Sequence, residues 1–371
     1  MRQVLFDGRV TSETIPDPDG PQQNTDPRAA SAATAAETAE KVAEHGAPPP
    51  PRRAAVVFNP TKVDREVLGA AVDAAAAEAD YDETLWIETT EEDPGVDMAR
   101  QAVSEGVRVV LAAGGDGTVR AVAEGLRGSD VALALIPSGT GNLLARNLDI
   151  VLDDVDDAVS TAFAGEQRRI DLGVATMRRP ADGGTAERVF LVMGGVGLDA
   201  QMLVNTDDEL KKKAGWLAYV QAIGRSLTGG RRIALQYRID GGEPRQARVH
   251  TLMVGNVGAL AGDVVLLPDA EIDDGVLDVV ALRPDGVVGW LSVFFRVLVG
   301  HRGMRGQGDS TTLPLNKGGR KRLDSLRYLR GRRIEVRLAE SEPFELDGDE
   351  MGDVTGFTMT VEPGALAVCV P

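Results

Sequence analysis

From residue 52 onward, apolar residues come in short runs separated by stretches with helical spacing. AAVVFNP (54–60) reads as a buried strand, followed by an Ala-rich helical stretch over 64–79. TLWIET (84–89), a helix over about 95–105 and VRVVLAA (107–113) come next. A helix over 119–127, the strand VALALIP (131–137) and a helix over 142–147 complete the series. Strands alternating with helices across short loops predict a parallel sheet covered by helices on both faces. The runs lack strict apolar–polar alternation, as strands buried on both sides should.

Past residue 171 the texture shifts towards β. Candidate strands are RVFLVMG (188–194), RIALQYRI (232–239), RVHTLMVGN (248–256), VLDVVALR (276–283), RRIEVRL (332–338), GFTMTV (356–361) and ALAVCV (365–370). Many alternate, and turns such as Asp240-Gly241-Gly242 and Pro363-Gly364 separate them, which favours antiparallel sheets. Helical stretches over about 208–227 and 286–299 interrupt the series. The expected fold class is α/β plus β: a parallel-sheet, three-layer α/β domain over 52–170, then a mainly antiparallel β-sandwich over 171–356. The final strands near 357–371 are free to return to the first domain. Residues 1–51, rich in Ala, Pro and acids, have the low hydrophobicity and Pro punctuation expected of a disordered tail.

Composition narrows the classes of function. Of 371 residues, 43% are hydrophobic and 26% charged, ordinary values for a soluble protein. The 40 Lys and Arg face 57 Asp and Glu, a formal charge of −17. A protein that coats a polyanion carries the opposite sign, so nucleic acid is not an expected partner. The single cysteine, Cys369, excludes an intrachain disulfide framework and clustered-Cys zinc sites. Three histidines argue against a His-rich metal centre. The longest apolar stretch, 286–300, carries Arg296 and falls short of the roughly 18–20 residues a membrane span needs. The N-terminus lacks the charged start, apolar run and cleavage site of a secretory signal. A cytoplasmic protein is expected, one that meets membranes only peripherally.

One region departs from the acidic average. Between 301 and 333, ten Arg and Lys stand against two Asp, directly after Trp290, Phe294, Phe295, Val297 and Leu298. Apolar anchors beside a basic cluster suit an anionic membrane surface, at about 1 kcal/mol per well-placed basic residue. A core helix followed by a solvated loop reads equally well.

The glycine-rich turns carry the chemistry. Gly114-Gly115-Asp116-Gly117-Thr118 follows a strong strand and precedes a helix. Glycines there let the backbone approach a phosphate without Cβ interference, and the helix start offers unpaired N–H groups and a positive dipole end. Asp116 makes sense as a direct or water-mediated magnesium ligand, or as an anchor of the loop. A second turn, Pro137-Ser138-Gly139-Thr140-Gly141-Asn142, closes the next strand, and Asn59-Pro60-Thr61-Lys62 closes the first. Three such turns at the carboxyl ends of parallel strands converge where open α/β sheets bind ligands, which favours a phosphate site over plain strand-to-helix turns. No GxxxxGK[ST] occurs, so this is not a P-loop. Gly195-Val196-Gly197-Leu198-Asp199-Ala200 matches a loose dinucleotide fingerprint but lacks the βαβ unit around it.

Asn59-Pro60, GGDGT (114–118) and PSGTGN (137–142) resemble the nucleotide half of the diacylglycerol kinase catalytic family, which also includes sphingoid-base kinases and bacterial lipid kinases. IDLG (170–173), GGVGLDA (194–200), PDAEIDDGVLDV (268–279), LDGD (346–349) and GFTMTVEPGALAVCVP (356–371) continue the resemblance in family order. It implies an ATP-dependent lipid kinase with its site between an α/β domain and a β-sandwich. Carried over by position, Asn59, Thr61, Thr90, Gly115 to Ala121 and Thr140 would contact ATP, with Pro60, Lys62, Gly114, Gly117, Thr118, Gly139 and Asn142 in the same loops. Asp116 and Asp171 would organise magnesium and phosphate, and Lys211 would join the active-site network. A structural magnesium would take the Asp274 carboxylate and the carbonyls of Glu271 and Val276; without the family, Asp273-Asp274-Gly275 reads as an acidic hairpin turn.

A lipid hydroxyl must lose its proton as the phosphoryl bond forms, so the reaction needs a base. In the family a carboxylate in an Asp-Gly-Glu turn does this; here the turn reads Asp347-Gly348-Asp349, followed by Glu350. Asp349 takes the base position with a side chain one methylene shorter, and Glu350 is the fallback. Two further departures concern charge. Asn142-Leu143 replaces a common Asn-Asp, and Arg120-Ala121 a common Asn-Glu. The implied reaction is MgATP-dependent phosphorylation of a lipid hydroxyl, with diacylglycerol as first acceptor and a sphingoid base or other lipid alcohol next. Asp199 would sit near the acceptor. Expected partners are the lipid, an anionic membrane surface and a second copy in a homodimer. A soluble NAD kinase and a nonenzymatic ATP-binding regulator are the other classes open to the sequence.

Overall fold

The computed structural model describes residues 52–180, 183–197, 232–259, 265–283 and 326–371. The tail, the helical stretches at 208–227 and 286–299, Lys211, Asp199 and most of the basic cluster lie outside the described residues.

In chain order the first elements are β1 (Ala54–Phe58), α1 (Arg65–Glu78), β2 (Leu85–Glu88), α2 (Val96–Ser104), β3 (Val109–Gly114), α3 (Asp116–Leu126), β4 (Ala132–Pro137), α4 (Leu143–Asn147) and α5 (Val155–Ala164). The strands form a parallel sheet in the order β2–β1–β3–β4. Successive strand residues point to opposite faces, and both faces are covered. Ala54, Val56 and Phe58 pack with Leu68 and Val72 of α1 and Ala158 and Val159 of α5. Ala55 and Val57 pack with Ala99 and Ala102 of α2 and Val122 and Leu126 of α3. The result is the expected three-layer α/β arrangement. Asp64 fixes where α1 begins, its carboxylate accepting from the Glu66 N–H at 2.9 Å.

The second half consists of β5 (Glu166–Arg178), β6 (Thr185–Phe190), β7 (Met193–Val196), β8 (Ile233–Ile239), β9 (Arg245–Val249), β10 (Thr251–Gly255), β11 (Leu277–Leu282), β12 (Leu326–Gly331), β13 (Arg333–Leu346) and β14 (Asp349–Val370). Pairing among them is antiparallel. Their inner faces enclose an apolar cluster that includes Phe190, Val254, Phe344, Phe357 and Met359. The mainly antiparallel β-sandwich is present as expected. Among the described residues, no helix is long and apolar enough to cross a membrane.

One strand binds the two halves. β14 runs for 22 residues; its first half pairs with β13, and Val368 lies beside Leu133 of β4 in parallel register. Along most of its length it also pairs with β5, from Gly356–Arg178 to Val370–Glu166. The Pro363-Gly364 turn foreseen between two strands is a bulge inside this single strand, with Gly364 at φ 56° and the register shifting between Glu362 and Leu366. A bulge needs the same left-handed residue that a turn does. The boundary foreseen at 170/171 falls within β5, and residues 51–371 form one compact unit. The strand path therefore carries the start of β14 towards the carboxyl ends of β3 and β4.

Candidate active site

The three turns foreseen at the rim of the parallel sheet meet there. After β1, the Asn59 carboxamide oxygen accepts from the Thr61 N–H at 2.9 Å and from its hydroxyl at 2.7 Å, which folds the 59–62 loop back on itself. After β3 and β4, the Ser138 N–H donates to the Gly114 carbonyl at 3.0 Å. A Cβ on Gly139 would stand 2.7 Å from the Gly115 Cα, so the two backbones touch where only glycine fits. A Cβ on Gly115 would stand 3.1 Å from the Lys62 Nζ. An exposed ammonium thus overhangs a glycine turn at a helix start, the donor set that suits a phosphate.

Asp116 is the anchor between the turns. Its Oδ2 accepts from the Asn142 N–H at 2.9 Å and its Oδ1 from the Leu143 N–H at 2.6 Å. Burial pushes its carboxyl above the ordinary value and the Asp349 charge adds to this, while the two N–H donors hold it back. Asn142, at φ 47°, braces its own loop through reciprocal bonds with Gly139. Thr118 is buried against Gly114, whereas Thr61, Thr90 and Thr140 stay exposed at the rim.

From the other half comes the β13–β14 hairpin. Leu346 pairs with Asp349 across Asp347 and Gly348, which have φ of 50° and 90°. Two positive φ angles define the tight hairpin turn that Asp-Gly favours. A Cβ on Gly117 would lie 2.8 Å from the Asp349 Oδ2, so this carboxylate rests on the first turn of α3. The same oxygen accepts from Arg120 Nη2 at 2.8 Å. Glu350, next along the strand, is exposed and points to the opposite face.

The hairpin is pinned by a residue that sequence reasoning passed over. Asp347 is 4% exposed. Its Oδ2 accepts from the Leu191 N–H at 2.8 Å, and its Oδ1 accepts from Val192 and Met193 at 2.9 and 3.0 Å. Burial raises its carboxyl to about 6, against the opposing pull of these N–H groups and Arg120. The only signal in the sequence was an acid at the first position of an Asp-Gly turn, which usually means an exposed bend.

Asp171 and Asp274 have other partners. Asp171 is 1% exposed, and both its oxygens accept from backbone, Oδ2 from Gly275 at 2.6 Å and Oδ1 from Gly364 at 2.8 Å. The structure brings it to the 272–275 loop and the β14 bulge, where it fixes the bend of β14. Asp274 accepts from the Val276 N–H at 2.9 Å and is paired with Arg330 Nη2. Arg330 Nε also reaches the buried Asp278 at 3.1 Å. Hard oxygens there have the right chemistry for magnesium, but the guanidinium already holds the place of the cation. The Asp274, Glu271 and Val276 set does not fit a metal as it stands, and no group of three or more His, Cys, Asp or Glu able to hold one occurs among the described residues.

Residues 53–175 match the family described as Diacylglycerol kinase catalytic domain, and residues 192–303 match the YegS C-terminal NAD kinase beta sandwich-like domain. The Pseudomonas aeruginosa protein named "Probable lipid kinase YegS-like" is 31% identical over 310 residues, covering 80% of this chain and 88% of its own. A Bacillus subtilis diacylglycerol kinase is 27% identical over 310 residues, covering 82% and 92%. The crystal structure of a diacylglycerol kinase from Bacillus anthracis covers 87% of this chain and 98% of its own, with a TM-score of 0.60 at 18% identity. That last likeness is one of fold.

The raised Asp347 carboxyl gives a linkage with a definite sign. Between its ordinary value of 3.8 and about 6, the native state keeps a proton that the unfolded chain has lost. The stability this group contributes is complete below about pH 4 and is lost as the pH rises through about 6. Asp347→Asn removes the titration. Denaturant unfolding across pH 4–7 should show the wild type losing about 2–3 kcal/mol relative to that variant as pH rises. A difference that stays flat across the range would contradict the assignment.

Proposed function

This chain belongs to the diacylglycerol kinase catalytic-domain family of lipid kinases, and we propose that it transfers the terminal phosphoryl group of ATP to the hydroxyl of a membrane-derived lipid, diacylglycerol first. The observation that carries this reading is the contact between Asp349 and the Gly117 turn. It brings a half-exposed carboxylate to the helix start where the last phosphate of a nucleotide seated on the glycine turns would end.

In this reading the Gly115 and Gly139 turns and the Lys62 ammonium cradle the triphosphate, and Asn59, Thr61, Thr90 and Thr140 line the nucleoside side of the rim. Asp116 keeps the two turns in register and would meet the magnesium that accompanies the nucleotide. Such an ion would supply neutralisation of the charge that builds up on the phosphates during transfer. Asp349 takes the proton of the lipid hydroxyl as the new O–P bond forms and the bond from the γ-phosphorus to the β-phosphate oxygen breaks, with ADP leaving. General-base help of this kind contributes about 10²–10⁴-fold. Asp171 serves by holding the bend of β14.

A lipid acceptor requires the protein to reach a membrane. Arg232, Arg248, Arg283 and Arg337, with Gln236 and Gln246, line a cleft of about 630 Å³ on the β8–β9–β13 side. Four guanidiniums around one opening in a chain of net charge −17 suit phosphate-bearing headgroups.

Incubation with γ-labelled ATP, magnesium and mixed micelles of diacylglycerol, sphingoid base and other lipid alcohols should move label into the organic extract, most strongly with diacylglycerol. Label passed instead to soluble NAD, or to no acceptor at all, would overturn the reading. For the membrane contact, cosedimentation should favour vesicles containing anionic lipid over neutral ones. The pair Arg248→Ala and Arg337→Ala should cut that binding by about 2 kcal/mol, roughly thirtyfold. Equal binding of wild type and variant to anionic vesicles would remove the cleft from the account.

A further inference from the structure

We propose that Arg120 is a positioning residue for Asp349, holding that carboxylate on the first turn of α3 so that one oxygen stays free for the acceptor hydroxyl. The inference deepens the kinase reading and rests on it. Arg120 lies one turn beyond Asp116 on α3, on the face it shares with Gly117. Its side chain is only 8% exposed and its Nη2 reaches the Asp349 Oδ2 at 2.8 Å. An arginine so deeply placed is uncommon unless it is paired.

Two observations separate this pair from an ordinary structural bridge. Among the described residues the buried Arg120 Nε has no hydrogen-bond partner, so the position sacrifices stability. Local disadvantages of this kind are retained where function needs the group. The second is charge balance. Asp349 rests on Gly117, the neighbour of Asp116, and follows the buried Asp347 by two positions on the same hairpin. Arg120 is the cation paired with the Asp349 carboxylate at this acidic corner.

Geometry explains why Asp349 needs a holder. It follows a two-residue turn whose residues both have positive φ, and its side chain is 44% exposed. The Arg120 bond occupies Oδ2, and Oδ1 is the oxygen farther from the Gly117 turn. A shorter carboxylate than the family's usual glutamate has less reach, so its orientation matters more. A base misplaced by about 1 Å can lose about 10²-fold in rate.

The test compares Arg120→Met, Arg120→Lys and Asp349→Asn, and combines Arg120→Met with Asp349→Asn, on the full chain. Arg120→Met should lower kcat about 10²-fold while the KM for ATP moves less than about threefold. Its melting temperature should be equal to or above that of the wild type, because the orphaned Nε is gone. Arg120→Lys should recover part of kcat. In the Asp349→Asn background, Arg120→Met should cost nothing more. A fall in melting temperature that tracks the loss of activity, or additive losses in the double variant, would overturn the proposal. If the wild type phosphorylates no lipid, the kinase reading fails separately. The unfolding constants of the same four proteins then decide the pairing, with non-additive effects supporting it and additive effects refuting it.

Discussion

A carboxylate pressed onto a glycine is the contact on which the site depends. Asp349 and Gly117 are distant in sequence, yet a Cβ at 117 would lie 2.8 Å from the Asp349 carboxylate. Bringing the two together requires the β13–β14 hairpin to be held at the rim of the parallel sheet. Asp347 does this by accepting three backbone N–H groups from 191–193. β14 continues the constraint for 22 residues, until Val368 lies beside Leu133. The α/β half and the β-sandwich half are thus fixed to one another by hydrogen-bonded strand rather than by a loose interface.

Charge is arranged around the same corner. Asp116 sits at a helix start and accepts from two further N–H groups, which offset part of the cost of burying its charge. Asp349 is answered by Arg120, and Asp274 and Asp278 by Arg330. Where an acid could have drawn an external cation, this chain supplies a guanidinium of its own. Lys62 is left exposed above the largely buried Gly115 turn, with the positive character that suits an anion.

The α/β half was legible because its strands are continuous apolar runs ending in glycine clusters, such as VRVVLAAGG at 107–115. Such runs leave little ambiguity once helices follow at regular intervals. β5 was missed because its first four residues are exposed and polar, and its partner β14 lies at the other end of the chain. α5 was missed because its first turn carries two acids, Asp156 and Asp157, directly after the N-cap Asp154. Of the site, the glycine turns and Asp349 stood out as motifs. Asp347 drew no role, and Arg120 stood out only as a departure in charge, since their pairing comes from burial and from partners more than 150 residues away. Asp171 was visible as a motif residue, but its role in bending β14 depends on Gly364 and Gly275, a relation no local pattern carries.

The central claim, that the Asp349 carboxylate removes the acceptor proton beside a triphosphate held on the glycine turns, is tested most directly by single-turnover phosphoryl transfer in Asp349→Asn. The amide keeps the shape of the side chain and loses the proton-accepting charge. The account predicts unchanged nucleotide affinity and a transfer rate lower by about 10²–10⁴-fold. A variant that transfers phosphate within a few-fold of the wild-type rate would contradict it.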